Sequence, residues 1–225
     1  MTIKTAPSLM CMDLMKLHEQ IDFFNSRADI YHVDIMDGHY VPNITLSPFF
    51  VKQISRATTL PIDVHLMVVN PDQYIEELAA SGATYISVHA ETINAKAFRV
   101  INQIKSLGCK AGIVVNPATP IEIILPYIGK LDKITVMTVD PGFAGQPFIP
   151  ETLDKIRTLK DWKIANNYEF LVEVDGSCNK NTYAELTGAG AEVLVMGSTG
   201  LFGLNDSLPA AWEQMNNELR EFCVN

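Results

Sequence analysis

The feature of this sequence that most limits its possible folds is a repeated alternation of short apolar runs with longer amphipathic stretches. Each run is rich in β-branched residues and has the length of a buried strand, and each following stretch has apolar residues at helical spacing. The runs are TAPSLM, IYHVDIMD, IDVHLMV, YISVHA, KAGIVVN, KITVMTVD, FLVEVDG and EVLVMGS. A succession of eight strand-then-helix units is typical of a closed (β/α)₈ barrel with parallel strands.

The amphipathic stretches carry the spacing and the end signals of surface helices. In the first, DLMKLHEQIDFFNS, the apolar residues Leu14, Leu17, Ile21 and Phe24 recur three or four positions apart. Later examples are DQYIEELAASG, AFRVINQIKSLG, TYAELTGAG and AAWEQMNNELREF. Several helices are predicted to end at a glycine in the left-handed conformation, namely Gly82, Gly108, Gly129 and Gly190.

The length of the chain, 225 residues, suits one domain of this fold, because the units follow one another with no linker between them. We therefore predict a single-domain α/β protein in which residues 1–225 form a (β/α)₈ TIM barrel. A doubly wound open sheet is the competing architecture. It usually has fewer strands and a glycine-rich turn after the first one, where this chain has SLMCMDL.

Composition excludes several classes of partner. The formal net charge is -9, whereas nucleic acids and anionic membranes require clustered Lys and Arg, so we predict neither as a partner. The start, MTIKTAPSLMCMDLMK, lacks the apolar run of a signal peptide, and no segment is long and apolar enough to span a bilayer. Cys11, Cys109, Cys178 and Cys223 are scattered without a CxxC pair, which is typical of reduced thiols. We expect a cytoplasmic protein.

Polar side chains collect late in the predicted strands. Active sites of (β/α)₈ barrels lie at the carboxyl ends of the strands, so these residues should share one rim. They are Ser8, His32, Asp34, His65, His89, Asn116, Asp140, Asp175 and Ser198. Lys110 and Lys133 instead begin their strands, and we expect them on the opposite rim.

His32 and Asp34 are two residues apart and therefore point to the same side of a strand, which we predict to be the barrel interior. A buried carboxylate is costly unless it is paired or coordinated. A hydrogen-bonded His–Asp pair in the core would satisfy both groups. Alternatively, His65 and Asp175, the latter with Glu173 on its face, would complete a mixed N/O ligand set for Zn²⁺, Mn²⁺, Co²⁺ or Fe²⁺.

Three late loops, DPGFAGQPF, DGSCN and GSTG, are rich in Gly, Ser and Pro. Ordinary connecting loops can have this composition, but late loops of barrels also often bind phosphate. Gly176, Ser177, Gly197 and Ser198 can offer backbone N–H groups and hydroxyls to one anion. Cys178 has no evident His partner, so we interpret it as a packing residue and not a nucleophile.

Together these motifs resemble the ribulose-phosphate 3-epimerase family over essentially the whole chain. The matching stretches are APSLM, HVDIMDGHYVPN, DVHLMV, KAGIVVNPATP, DPGFAGQPFIP, EVDGS and the final GS. The resemblance implies a barrel of the ribulose-phosphate-binding type and an isomerase that inverts the hydroxyl-bearing carbon next to the carbonyl of a ketose phosphate. It also implies one divalent ion (Zn, Mn, Co, Fe or Mg), a sugar-phosphate substrate and a homo-oligomer.

The resemblance also suggests roles for individual residues. His32, Asp34, His65 and Asp175 match the metal ligands, and Asp34 and Asp175 match the catalytic acid/base pair. Met36, Met67 and Met137, which could equally be core residues, match a soft wall around the intermediate. The positions that match substrate-binding residues are Ser8, His65, Gly142, Phe143, Ala144, Gly145, Asp175, Gly176, Ser177, Gly197, Ser198 and Thr199.

Four stretches depart from the usual pentulose-phosphate pattern: SLMCMDL, VDPGFAGQ, GSCN and GSTGLF. They resemble the D-allulose-6-phosphate 3-epimerase subgroup, whose hexulose substrate is one carbon longer. We therefore predict interconversion of D-allulose 6-phosphate and D-fructose 6-phosphate through a metal-stabilised cis-enediolate. The alternative is conversion of D-ribulose 5-phosphate to D-xylulose 5-phosphate. Inversion requires one acid/base group on each face of the planar intermediate, which suits Asp34 and Asp175 on different strands.

Three alternative functions occur to us for a barrel of this kind, two enzymatic and one non-catalytic. A Schiff-base aldolase needs an interior lysine near the catalytic rim, and no predicted strand end supplies one. A metal-independent isomerase of the triosephosphate type would use a lone carboxylate base with a neutral histidine. A non-catalytic phosphate- or metal-binding barrel would keep the fold without turnover.

Overall fold

Nine strands make up a single sheet in the computed structural model, which describes residues 3–223 and leaves the side chain of Cys223 outside the described part. The strands are β1 (Lys4–Pro7), β2 (Tyr31–Asp37), β3 (Ile44–Thr45), β4 (Ile62–Met67), β5 (Tyr85–His89), β6 (Lys110–Val115), β7 (Lys133–Met137), β8 (Leu171–Asp175) and β9 (Val193–Met196).

Helices follow the strands. The α-helices are α1 (Leu17–Phe24), α2 (Pro48–Ile54), α3 (Ile75–Ala80), α4 (Ala90–Ile93), α5 (Ala97–Ser106), α6 (Leu153–Asn166), α7 (Tyr183–Ala189) and α8 (Leu208–Cys223). Tighter 3₁₀ segments cover Leu9–Cys11, Leu14–Lys16, Pro71–Gln73, Ile121–Lys130 and Pro150–Thr152, and a π-helical turn covers Ser198–Phe202. Within residues 3–223, none of the helices is long and apolar enough to cross a bilayer.

The sheet is a parallel barrel. Its order is β1-β9-β8-β7-β6-β5-β4-β2-β3, and every pairing is parallel except that of the short β3 with β2. A parallel bridge between Ser8 and His32 joins the end of β1 to β2 and closes the ring. The predicted (β/α)₈ architecture is therefore confirmed, and the carboxyl ends of the strands share one rim.

The barrel has an apolar outer layer and a partly polar interior. Outward residues such as Val33 and Ile113 pack with the helices in one continuous core cluster. Barrel interiors are usually filled by branched apolar side chains. Here the middle of the barrel is instead filled by fully buried polar side chains, which are His32, Asp63, His65, Ser87, Lys133, Thr135 and Glu173. This polar layer lies directly below the rim at which the carboxyl ends of the strands meet.

The first helix is shorter than its sequence pattern predicts. Leu14 is 56% exposed and lies in a 3₁₀ turn, so its predicted place in the core is wrong. The Asp13 side chain accepts a hydrogen bond from the backbone N–H of Met15 and caps this separate turn. Helix α1 begins only at Leu17, and its inward residues Ile21 and Phe24 are buried as expected.

Two further local predictions need correction. The first strand ends at Pro7, and the Leu9–Cys11 turn that follows it is 3₁₀ in place of the predicted strand end at TAPSLM. Gly129 is not a left-handed helix cap, because it lies inside the 3₁₀ segment Ile121–Lys130. The proline inside that segment, Pro126, has no backbone N–H and disfavours a regular α-helix there.

Candidate active site

Four predicted ligand residues converge at the carboxyl ends of three strands. His32 and Asp34 come from β2, His65 from β4 and Asp175 from β8, and one donor atom of each lies within 4.8 Å of the others. His65 Nδ1 is 3.2 Å from Asp34 Oδ1 and 3.3 Å from Asp175 Oδ2. Ser8 Oγ donates a 2.7 Å hydrogen bond to Asp34 Oδ2. The sequence pattern therefore located a real cluster of side chains.

The hydrogen bonding of His32 leaves one ring nitrogen available to a cation. Its Nδ1 lies 2.8 Å from Asp63 Oδ2, and a carboxylate acceptor places the ring proton on Nδ1. The Nε2 lone pair then points toward Asp34 Oδ1 at 3.2 Å and Asp175 Oδ2 at 3.6 Å. This buried Nε2 has no hydrogen-bond partner among residues 3–223. A buried lone pair facing two carboxylates suits a metal ion.

His65 is supported from its other side by His89. The two Nε2 atoms are 2.8 Å apart and the rings are stacked. When His65 carries its ring proton on Nε2 and donates it to His89, the Nδ1 lone pair of His65 faces the carboxylates. His89 Nδ1 is 3.5 Å from Glu91 Oε2, and the Tyr40 ring lies 4.6 Å from the His89 ring. The sequence analysis placed His89 at this rim but did not assign it this contact.

The neighbours of Asp34 and Asp175 lower the pKa of both carboxyl groups. Burial alone would raise the pKa of Asp34, but the charge and hydrogen bond of His32, together with His65, lower it. The pKa of Asp175 is also lowered, because hydrogen bonds from His32 and His65 outweigh its burial. Burial would lower the pKa of His32, and Asp34 and its other carboxylate partners raise it. The cluster therefore requires a positive partner, either imidazole protons or a metal ion.

His89 makes a testable contribution to stability. Burial lowers its pKa to about 4, below its usual 6.5. Protonation therefore favours the unfolded chain, and stability falls as pH drops from about 6.5 toward 4. We expect His89→Gln to remove about 2 kcal/mol of the stability loss between about pH 7 and pH 5, measured by urea unfolding. His18→Gln, at a histidine whose side chain is 85% exposed, should keep the full loss. Equal pH slopes in H89Q and the unmodified protein would contradict this assignment.

The three late loops form one connected wall above the cluster. Ser177 Oγ donates a 2.7 Å hydrogen bond to the carbonyl of Gln146, and Asn179 Nδ2 lies 3.3 Å from Thr199 Oγ1. Gly176 has φ +119, and a Cβ there would lie 2.7 Å from a Val139 methyl. Only glycine fits this close approach, which brings the loop after β8 against the end of β7.

Most predicted site residues line the cleft above the cluster. Those lining it are Ser8, Asp34, Met36, Met67, Met137, Gly142, Phe143, Ala144, Gly145, Asp175, Gly176, Ser177, Gly197, Ser198 and Thr199. His32 and His65 do not line it, because they are fully buried beneath it. Met10, Cys11 and Gln146, which the predicted set does not include, also line the cleft. The sequence did indicate them indirectly, because they lie in SLMCMDL and VDPGFAGQ, two of the stretches that depart from the pentulose-phosphate pattern.

Lys133 lies inside the barrel, so the expectation that it occupies the opposite rim is wrong. Its side chain is 0% exposed, and its ammonium donates to both Asp63 and Glu173. Burial alone would lower the pKa of Lys133, but these two carboxylates raise it. Both partners of the lysine approach His32, because Asp63 accepts from Nδ1 and Glu173 Oε1 is 3.8 Å from the same atom.

The fold and the site define a (β/α)₈-barrel enzyme with carboxylates and imidazoles clustered at its catalytic rim. The model of the ribulose-phosphate 3-epimerase family matches residues 4–202. The chain belongs to the ribulose-phosphate 3-epimerase family. It is therefore an isomerase of the ketose-phosphate 3-epimerase class, as the sequence motifs predicted.

Curated relatives agree over most of their length. Ribulose-phosphate 3-epimerase of Aquifex aeolicus is 44% identical over 89% of this chain and 90% of its own. The Bacillus subtilis enzyme of the same name is 44% identical, covering 94% of this chain and 97% of its own. Among solved structures, KGPDC from Streptococcus mutans has a TM-score of 0.74 at 10% identity, covering 98% of each chain. At that identity the likeness supports the fold alone.

Proposed function

We propose that this chain inverts carbon 3 of a ketose phosphate by proton transfer between Asp34 and Asp175 through a planar enediolate. The observation that carries the proposal is the convergence of these two carboxylates at the floor of one cleft, within reach of His32 and His65. The strands of the two aspartates, β2 and β8, are separated by β1 and β9 on one side and by β4 to β7 on the other. The carboxylates therefore approach the cleft from different walls.

His32, Asp34, His65 and Asp175 would hold one divalent ion. The fit rests on the buried His32 Nε2, which has no hydrogen-bond partner within the described residues 3–223, and on a donor set of two imidazoles and two carboxylates. A divalent ion bound there supplies Lewis-acid stabilisation of the negative charge that develops on the substrate oxygens. Zn, Mn, Co, Fe and Mg all remain candidates for that ion.

The two aspartates divide the proton transfer between them. One carboxylate takes the proton from carbon 3, and the other, which carries a proton, returns it to the opposite face of the planar intermediate. The bond from carbon to hydrogen breaks on one face and forms on the other, so the roles exchange in the reverse direction. Ser8 holds Asp34 through its hydrogen bond to Oδ2. Asp175 is the more accessible of the pair, with 17% of its side chain exposed.

Three methionines would shield the intermediate from water. Met36, Met67 and Met137 are buried and line the cleft. Met36 and Met67 pack together in one apolar cluster, which includes Val41. A polarizable, apolar wall excludes water and strengthens the electrostatic interactions of the aspartates with the substrate.

Replacing Met67 with Gln is expected to lower kcat about tenfold, because the amide brings water and a dipole beside the intermediate. The matched control is Met15→Gln, at a methionine that is 92% exposed, and it should leave kcat unchanged. Both variants can be compared by initial rates with the metal-loaded enzyme. Unchanged kcat in M67Q would reject the shielding role.

The substrate phosphate would bind at the three late loops. Support comes from their hydrogen-bonded connection and from the residues that they place on the cleft, which include Gly145, Ser177 and Ser198. Backbone N–H groups and hydroxyls can hold a phosphate without basic side chains, which agrees with a formal net charge of -9.

D-ribulose 5-phosphate is the first candidate substrate. It is supported by the name ribulose-phosphate 3-epimerase, which relatives at 42% to 44% identity carry. D-allulose 6-phosphate is the second candidate. It is favoured by the position of the sequence departures, since Met10, Cys11, Asp140, Cys178 and Thr199 all line the cleft.

The test is a comparison of kcat/KM for D-ribulose 5-phosphate and D-allulose 6-phosphate with the metal-loaded enzyme. A preference of about a hundredfold would identify the substrate, because one carbon changes the fit along the whole cleft. Incorporation of solvent deuterium at carbon 3 of the better substrate should accompany inversion. Absence of both deuterium incorporation and inversion with either sugar would favour a non-catalytic barrel.

Borohydride trapping should label no lysine, since Lys133 is buried and paired with two carboxylates.

A further inference from the structure

A second group of metal-type donors lies directly below the first. His32 Nδ1 and one carboxylate oxygen each of Asp63 and Glu173 lie within 4.8 Å of one another. All three side chains are 0% exposed. His32 connects the two groups, because its Nε2 lone pair faces the upper cluster and its Nδ1–H is donated to Asp63 in the lower group. The oxygens of two buried carboxylates are a donor set that Mn²⁺ commonly binds.

An ammonium occupies the centre of this lower group. Lys133 Nζ donates to Asp63 Oδ2 and to Glu173 Oε1, the same two oxygens that lie near His32 Nδ1. The surrounding hydroxyls complete the carboxylates. Ser87 Oγ donates to Asp63 Oδ1 at 2.7 Å, and Thr135 Oγ1 donates to Glu173 Oε1 at 2.8 Å.

One carboxylate oxygen of the group makes no hydrogen bond. Among the residues that the structure describes, Glu173 Oε2 is buried and has no hydrogen-bond partner. A lysine ammonium has three protons, and two of them go to Asp63 and Glu173. A divalent ion could bind both oxygens of a carboxylate. The group therefore has more ligand capacity than the lysine uses.

We propose that Lys133 is a built-in cation that occupies a second metal position, formed by the carboxylates of Asp63 and Glu173 below His32, and thereby keeps that position closed to divalent ions. The upper cluster rests on the proposed function, but the lower position does not. The ammonium is attached to the chain, so it neutralises the buried carboxylates without dissociating. Without a positive partner these carboxylates would destabilise the barrel. It also holds Asp63 against His32 Nδ1, so the barrel binds one exchangeable ion and carries one fixed charge below it.

Replacing Lys133 with Ala should open the lower position. We expect purified K133A, equilibrated with Mn²⁺ alone and desalted, to retain one Mn²⁺ per chain more than the unmodified protein, measured by elemental analysis. The matched control is Lys110→Ala, since Lys110 also begins a strand but is exposed; its Mn²⁺ content should not change. The double variant K133A/E173Q should lose the additional ion. K133A with unchanged Mn²⁺ content would overturn the proposal.

Thermal stability separates a cation role from a packing role. Lys133→Met keeps the volume of the side chain but leaves no space for an ion, whereas Lys133→Ala leaves that space. We expect Mn²⁺ to raise the Tm of K133A by about 5 °C more than that of K133M. If K133A folds only with Mn²⁺ bound, its thermal transition appears only when Mn²⁺ is added, which also supports a cation role. If K133M is the more stable variant with Mn²⁺ and K133A gains nothing from the ion, Lys133 only fills space.

The two metal positions can be tested independently. His65→Ala removes a ligand of the upper cluster and none of the lower group. The double variant K133A/H65A should therefore still bind one Mn²⁺ more than H65A. An unmodified protein that binds no Mn²⁺ would contradict the proposed upper site, while the difference between K133A and the unmodified protein would still test the lower one.

Discussion

Asp175→Asn is expected to lower kcat for inversion about a thousandfold, because an amide can neither accept nor return the proton on its face of the intermediate. Inversion at carbon 3 can be followed by NMR in either direction. The substitution is nearly isosteric, and Asp175 lies at the end of β8 with part of its side chain in the cleft, so the barrel should remain folded.

Solvent exchange distinguishes loss of one acid/base group from general damage. Because Asp175 is also a proposed metal ligand, the variant is assayed in excess Mn²⁺. With Asp34 intact, D175N should then still exchange the carbon 3 proton of one epimer with deuterium, while inversion is lost. The matched control is Asp154→Asn, at a carboxylate of helix α6 that is 83% exposed and does not line the cleft, which should retain most of the activity. Full inversion and full exchange of both epimers by D175N would rule out the two-aspartate mechanism.

His65→Ala is expected to lower both metal content and activity. Removing one of four donors should reduce retention of a divalent ion, and kcat/KM should fall about a thousandfold with the lost electrostatic stabilisation. Metal content after desalting and initial rates provide two separate readouts. His18→Ala, at a histidine of helix α1 whose side chain is 85% exposed, should change neither.

Chelation provides a complementary measurement. Prolonged dialysis against a chelator should reduce the unmodified protein to the activity of H65A, and added Mn²⁺ or Zn²⁺ should restore only the unmodified protein. An H65A variant that keeps its metal and its activity would show that the four donors do not act as one site.

The positions of the site residues could be predicted because they depend on short-range rules. A period of two along a strand puts His32 and Asp34 on one face, and parallel strands bring their carboxyl ends to a common rim. His65 and Asp175 follow the same two rules from other strands. For this reason the sequence located the donors that the fold brings within 4.8 Å of one another.

The interior lysine could not be predicted from its place in the sequence. Lys133 begins β7, which indicates a rim position in a flat sheet. Barrel strands are tilted and staggered, so the start of one strand lies level with the middle of others. Lys133 therefore lies level with Asp63 and Glu173, and two carboxylates compensate the burial of its charge.

By itself, the sequence determined the alternation of strands and helices, the face on which each strand carries its polar residues and the family to which the chain belongs. These features depend on periodicity and on local motifs, which a linear chain contains in full. Only the tertiary structure decided which polar groups pair inside the barrel: His65 with His89, and Lys133 with Asp63 and Glu173. Those pairs join residues 24 to 70 positions apart, and their contact depends on the stagger of the closed sheet.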